Sequence, residues 1–148
     1  MSRTISYRGT IDIGTEQRIS LATIKGQVGY KITKFQVLST TPGATAAVEY
    51  VGKITKVKDP NIGPVVKFTD ADLLAVVYYQ DNDSSAYPDS KTIIFDNEKF
   101  NQDIFVNVTD AGSGSIPANY YIELETMDLS ELETTMLTLR SLRTVTSR

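Results

Sequence analysis

Apolar and polar residues alternate along most of the chain, as they do in strands that bury one face and expose the other. The alternating segments are short, and Pro, Gly, Asn and Asp residues cluster between them as turn signals. This pattern predicts an all-β protein, an antiparallel β-sandwich or jelly roll with one or two short helical segments. The predicted strands contain TISYRGTIDI, GYKITKFQVL, AVEYVGKI, TIIF, DIFVNV and NYYIELE.

In two of these strands the pattern also predicts a local feature. In GYKITKFQVL, Tyr30 and Ile32 share one face, whereas Phe35 and Val37 fall on the other. A change of phase within one strand indicates a β-bulge. In AVEYVGKI, Val48, Tyr50 and Ile54 lie on one side, and Glu49 and Lys53 lie on the other.

Helix is predicted at two places. In TDADLLA, Thr69 or Asp70 can cap one turn of helix. Further along, Ser130 and Glu133 have the spacing of a capping box, which favours helix for residues 130–143, although the Thr-rich TTMLTL would also suit a strand. The apolar residues with helical spacing there are Leu132, Met136 and Leu139.

The amino-acid composition limits the catalytic and metal-binding chemistry that the chain can support. A chain of 148 residues fits a single β domain, residues 1–148, and no repeat or long linker divides it. It has no Cys and no His, which excludes thiol chemistry and removes the commonest general base and metal ligand. We therefore expect no catalytic residue, no metal and no cofactor.

The chain also lacks the signals of a membrane or secreted protein. Its start, MSRTISYRGT, has no apolar core of a signal peptide, and its longest apolar run, LLAVVYY, is far shorter than the roughly 20 residues of a membrane helix. Nucleic acid is not an expected partner either, because the sequence pI is about 4.9.

Charge is distributed unevenly along the chain. Residues 1–58 carry +6, residues 59–94 carry −4, residues 95–133 carry −8 and residues 134–148 carry +3. Such segregation is typical of solvated faces of different sign, and it also suits a surface that meets a copy of itself.

Two groups of carboxylates are candidate chemical sites. FDNEKFNQDIFV holds three, but they fall in the predicted loop between the strands TIIF and DIFVNV, where Asp and Asn favour turns. Glu123 and Glu125 are about 6.7 Å apart along one strand face, close to the spacing of an inverting glycosidase pair. A solvated strand face is the favoured interpretation, because two neighbours in the same surroundings do not separate into acid and base.

The loop Asp81–Asp89 is a third candidate, for calcium. Its oxygen-bearing side chains could bind Ca²⁺ weakly, but it lacks the Gly and Glu that complete an EF-hand loop. An ordinary polar loop is the expected alternative. The side chains concerned are Asp81, Asp83, Ser85 and Asp89.

A series of motifs in chain order resembles a known class of proteins. They are SYRGTI, GYKITKFQ, FTDADLLAVVYYQD, IIFDNEKFNQDIFV and NYYIELETMDL followed by TMLTLRS. Over Arg3–Arg148 they resemble small virion structural proteins of marine tailed phages, of the cyanophage and pelagiphage type. The resemblance implies a non-enzymatic particle component made in the host cytoplasm and located in the virion. It implies an auxiliary capsid protein, of the decoration or cement type, whose partners are the major capsid protein and copies of itself, as a dimer or trimer.

Other assignments stay open at this point. A tail or neck position is one. A module that binds host glycans is another, with Tyr87 and Tyr120 as candidate loop aromatics, and a glycosidase using Glu123 and Glu125 is the third.

The segment 134–148 is the candidate docking segment. It carries basic residues and no acid directly after the most acidic stretch, and it has too many apolar residues for a free tail. Arginine pairs bidentately with carboxylates, so we predict docking on an acidic neighbour, either another copy or the capsid shell. The residues predicted to make this contact are Leu139, Arg140, Leu142, Arg143 and Arg148.

Overall fold

Eight antiparallel strands and one C-terminal helix make up the part of the chain that the structure describes. The structure is a computed structural model that describes residues 3–42, 47–81, 89–95, 98–112 and 114–147, with the backbone alone at residues 89 and 141–147. The elements are β1 (Arg3–Ile11), β2 (Glu16–Ile19), β3 (Val28–Ser39), β4 (Val48–Thr55), β5 (Leu73–Asp81), β6 (Asp89–Ile94), β7 (Ile104–Asp110), β8 (Ala118–Asp128) and α1 (Glu131–Ser147).

The strands form two sheets that share one core. The smaller sheet has the order β1-β8-β3, and the larger sheet has the order β2-β7-β4-β5-β6. Every strand pair is antiparallel. Apolar side chains of both sheets belong to the same buried cluster, so the prediction of an antiparallel all-β sandwich is confirmed. The jelly-roll connectivity stays a prediction.

Alternation along β8 explains the smaller sheet. Ile122 and Leu124 are fully buried against the larger sheet, while the alternate residues Tyr121, Glu123 and Glu125 face outward. Its partner β3 contains the predicted bulge, since the register shifts between Ile32 and Lys34. The extra residue lets both Ile32 and Phe35 face the core, where they are 3% and 0% exposed.

The predicted turn of helix at TDADLLA is wrong. Asp70 instead closes a tight turn, in which its carboxylate accepts a hydrogen bond from the Asp72 amide and its carbonyl accepts one from the Leu73 amide. Leu73 then begins β5 and pairs with Thr55 of β4. Pairing of the following apolar run with β4 outweighs the local helix signal, because both neighbours of β5 supply backbone partners.

The strands TIIF and DIFVNV do not pair with each other. β6 lies at one edge of the larger sheet, and β4 and β5 separate it from β7. The connection between β6 and β7 therefore crosses the end of the sheet instead of closing a hairpin. On its way Phe100 forms a β-bridge with Tyr30 of β3, and the two rings stack at 6.0 Å.

The connection between β4 and β5, residues 56–72, lies against part of the outer face of the larger sheet, at Lys53. Lys53 points outward from β4, as predicted, yet it is only 6% exposed. Its ammonium group lies 2.9 Å from a carboxylate oxygen of Asp59 and donates to the carbonyls of Asn61 and Val65. This buried ion pair ties the connection to the sheet.

Asp59 makes the stability of the fold depend on pH. Burial alone would raise the pKa of its carboxyl, but hydrogen bonds from the Asn61 amide and Lys53, with the charge of Lys53, bring the net pKa below the ordinary value. Stability from a lowered carboxyl pKa is complete above the unfolded value, about 3.9, and is lost as pH falls through the folded value.

We therefore expect the free energy of unfolding to fall as the pH drops below about 5 and through the lowered pKa of Asp59. In urea titrations across this range, Asp59→Asn should show a smaller fall than the wild type. Asp12→Asn, at an exposed carboxylate, is the control and should follow the wild type. An Asp59→Asn curve with the wild-type pH dependence would contradict the assignment.

Candidate interaction surface on helix α1

Helix α1 begins with the predicted capping box. The Ser130 hydroxyl accepts a hydrogen bond from the Glu133 amide at 3.2 Å, and the Glu133 carboxylate accepts one from the Ser130 amide at 3.3 Å. The amide hydrogen bond, followed by the positive charge of Lys99, lowers the pKa of Glu133. Helix was the favoured alternative for residues 130–143, and it is confirmed.

The helix rests on the connection between β6 and β7. Asn101, which is 1% exposed, donates to the carbonyl of Gly26 and to the hydroxyl of Thr138, both at 3.0 Å. Gly26 has a φ of 63°, and an added Cβ would lie 3.1 Å from the Asn101 amide nitrogen. Asn101 thus joins the helix, the turn before β3 and the connection.

Two ion pairs flank this contact. Lys99 lies 3.6 Å from Glu133, and Arg140 lies 4.0 Å from Glu98. Both pairs are partly exposed, so they set the position of the helix more than they stabilise it.

The opposite side of α1 exposes three large apolar side chains. Leu132, Met136 and Leu139 are 70%, 51% and 57% exposed. Their spacing of four and three residues places them on one face of the helix, which we name the apolar stripe. A groove of about 190 Å³ lies beside the stripe. It is lined by Met136 and Leu137 and by three charged side chains of the ion pairs, Lys99, Glu133 and Arg140. The stripe is the candidate interaction surface.

Sequence reasoning found part of this surface. Leu139 was predicted to make the contact and lies in the stripe. Arg140 reaches Glu98 of its own chain, so part of its charge is already paired within the molecule. The side chains of Leu142 and Arg143, and all of Arg148, lie outside the described residues. The helical spacing of Leu132 and Met136 was visible in the sequence, but their exposure was not.

The carboxylates of FDNEKFNQDIFV have separate structural partners. Glu98 accepts a hydrogen bond from the Lys56 ammonium at 2.6 Å. Asp103 accepts hydrogen bonds from the amides of Leu21 and Ala22 at 2.8 and 2.9 Å. Asp96 lies outside the described residues. The described residues between β6 and β7 thus support neighbouring backbone and the helix as a connection, and Ile104–Val106 already belong to β7.

Glu123 and Glu125 lie on the outer face of β8, as predicted. In β3, Lys34 stands opposite Glu123 and Lys31 stands opposite Glu125. The Lys34 ammonium lies 3.6 Å from the Glu123 carboxylate. Each acid therefore has a lysine as its neighbour across the strands, which is the arrangement of a solvated sheet face.

Tyr120 is not a loop aromatic. It lies in β8, is 8% exposed, and donates from its hydroxyl to the side-chain oxygen of Gln17 at 2.9 Å. Burial raises the pKa of this phenol. Its orientation follows from the alternation of β8, which sends Tyr121 outward instead. Tyr87 lies outside the described residues.

The proposed calcium loop falls mostly beyond the described ranges. Asp83, Ser85 and the side chain of Asp89 lie outside the described residues. Asp81 is buried and accepts a hydrogen bond from the Tyr79 hydroxyl at 3.3 Å. Among the described residues, no group of three or more acidic side chains is arranged to hold a metal ion.

Within the described residues, no helix has the length and apolar character needed to cross a bilayer. No protein-family model and no curated protein matches the chain.

Proposed function

We propose that this chain is a non-enzymatic structural protein of a phage virion, an auxiliary capsid protein that binds the head surface and copies of itself. The observation that carries the proposal is the apolar stripe on α1. Support also comes from the sequence resemblance and from a composition without His or Cys. Glu98, Asp103 and Glu123 pair with neighbouring structural groups, which favours assembly over catalysis.

The apolar stripe has the spacing of the side chains by which a helix binds in a partner's groove. Its three side chains occupy successive turns, so one partner surface can cover them all. Burial of each in an interface stabilises the complex by about 1.5–3 kcal/mol before the losses of association are counted. The contacts of Asn101 and the flanking ion pairs hold the helix in place beforehand, which lowers the entropy lost on binding.

Head attachment is expected to depend on the stripe. Replacing Leu132, Met136 and Leu139 by Ser should weaken binding to heads that lack this protein at least about a hundredfold, since three apolar anchors are lost. Self-association should weaken with it. Cosedimentation with heads measures the first effect and light scattering after size exclusion measures the second.

The matched control changes exposed apolar residues elsewhere. Ile24→Ser and Val65→Ser alter side chains that are 106% and 66% exposed but lie outside α1. Both variants should bind heads as the wild type does. Full head binding and full oligomerisation by the triple variant would refute the proposal. Gold labelling of purified virions then distinguishes a head position from the alternative tail or neck position.

A further inference from the structure

The outer face of the smaller sheet carries a hollow of about 520 Å³. Strand register places its side chains in rows across β1, β8 and β3. One row consists of Arg8, Tyr121 and Gln36, each opposite the next. Cross-strand neighbours on one face lie about 5 Å apart, so a single small molecule can contact all three.

The adjoining row adds polar groups. Thr10, Asn119 and Leu38 stand opposite one another in the same way. The Thr10 hydroxyl donates to the side-chain oxygen of Asn119 at 2.8 Å, which leaves the amide NH₂ group of Asn119 to donate elsewhere. Leu38 is 47% exposed and forms an apolar border.

The charge of the hollow differs from that of the rest of the face. Farther along β8, Glu123 and Glu125 each stand opposite a lysine of β3, so the positive and negative charges at that end of the face offset each other. The two rows of the hollow contain no carboxylate. Arg8 is exposed, and none of the ion pairs found among the described residues involves it. The hollow therefore carries a net positive charge beside an aromatic ring.

We propose that this hollow binds an acidic saccharide, a sugar that carries a carboxylate. The ring of Tyr121 offers an apolar face to the C–H groups of a pyranose. Arg8 is suited to pair with the carboxylate through two parallel hydrogen bonds. The amides of Gln36 and Asn119 donate to and accept from hydroxyl groups. The volume lies within the range of small-molecule sites.

Other described hollows fit less well. The larger one, about 630 Å³ beside Lys53, has its main charged groups committed to each other in the ion pair with Asp59. The sugar proposal is independent of the proposed head attachment, because it concerns the sheet and not α1. A failure of either leaves the other standing.

The test is a titration of the ¹⁵N-labelled chain by NMR with trigalacturonate, galacturonic acid and a neutral galactotriose. We expect amide shifts centred on Arg8, Gln36 and Tyr121, with a dissociation constant on the order of 1 mM for trigalacturonate. Tighter binding of the trimer than of galacturonic acid would assign the site to a polysaccharide, and equal binding would assign it to a free sugar acid.

Variants on the same face decide the roles. Arg8→Gln should weaken the binding of trigalacturonate about tenfold and remove its preference over galactotriose. Tyr121→Ala should weaken the binding of trigalacturonate and of galactotriose about tenfold each. Lys34→Gln, outside the hollow, should bind as the wild type. If Tyr121→Ala does not fold, Asn119→Ala replaces it. No shift at the three named residues with any sugar, or trigalacturonate binding unchanged in Arg8→Gln, would overturn the proposal.

Discussion

Replacing Lys53 by Met is expected to lower the free energy of unfolding by about 3 kcal/mol. The change removes the cation from a pair whose two side chains are each 7% exposed, and it leaves the Asp59 carboxylate buried without its counter-charge. The methylene stem is largely kept, so the loss reports charge and hydrogen bonding more than packing. In thermal unfolding the midpoint should drop by roughly 10 °C.

Lys34→Met is the matched control. It makes the same change at the pair with Glu123, where the Lys34 side chain is 49% exposed. Exposed pairs contribute little, so stability should change by less than about 1 kcal/mol. Adding Asp59→Asn to Lys53→Met removes the stranded charge and should recover part of the loss. Equal effects of the two lysine variants would show that the buried pair has no special role.

Phe35→Ala is expected to lower the free energy of unfolding by about 3–5 kcal/mol. Phe35 is fully buried, and its ring lies against Gly52 of β4, where the two sheets meet. Leu38→Ala on the outer face of the same strand should change stability by less than about 1 kcal/mol. Urea denaturation of both variants measures the difference, and similar losses would contradict this view of the core.

The contact with Gly52 can be tested by a double-mutant cycle. A Cβ at Gly52 would lie 3.1 Å from Phe35 and 2.8 Å from Val77, so Gly52→Ala should destabilise by about 1–3 kcal/mol. Part of the crowding disappears when Phe35 is Ala. The cycle should therefore give a favourable coupling of about 1 kcal/mol, and strict additivity would place the crowding elsewhere.

Features that depend on neighbouring residues could be predicted from the sequence. The alternation of β8, the bulge between Ile32 and Phe35 and the capping box at Ser130 are all set within a few positions of the chain. Each has a local signature in the order of side chains.

Features that depend on segments far apart in the sequence could not be predicted in this way. β5 was missed because nearly all of its residues are buried, with Tyr78 the exposed exception, so it lacks the alternation of a half-exposed strand. Lys53 is buried by its contacts with Asp59, Asn61 and Val65, which the local pattern does not reveal. For α1, the apolar spacing predicted a helix but not which face turns inward; Thr138 faces Asn101, whereas Leu132, Met136 and Leu139 are exposed. Which face docks is decided by a hydrogen-bonded partner 37 residues away.

Strand β8 acts as a rigid spacer between two surfaces. Tyr121 lies near its start, and Asp128, its last residue, leads into α1. Seven residue steps at about 3.4 Å each separate these positions by roughly 24 Å. A sugar in the hollow would therefore lie at one end of this extended segment, with the first turn of α1 at the other end.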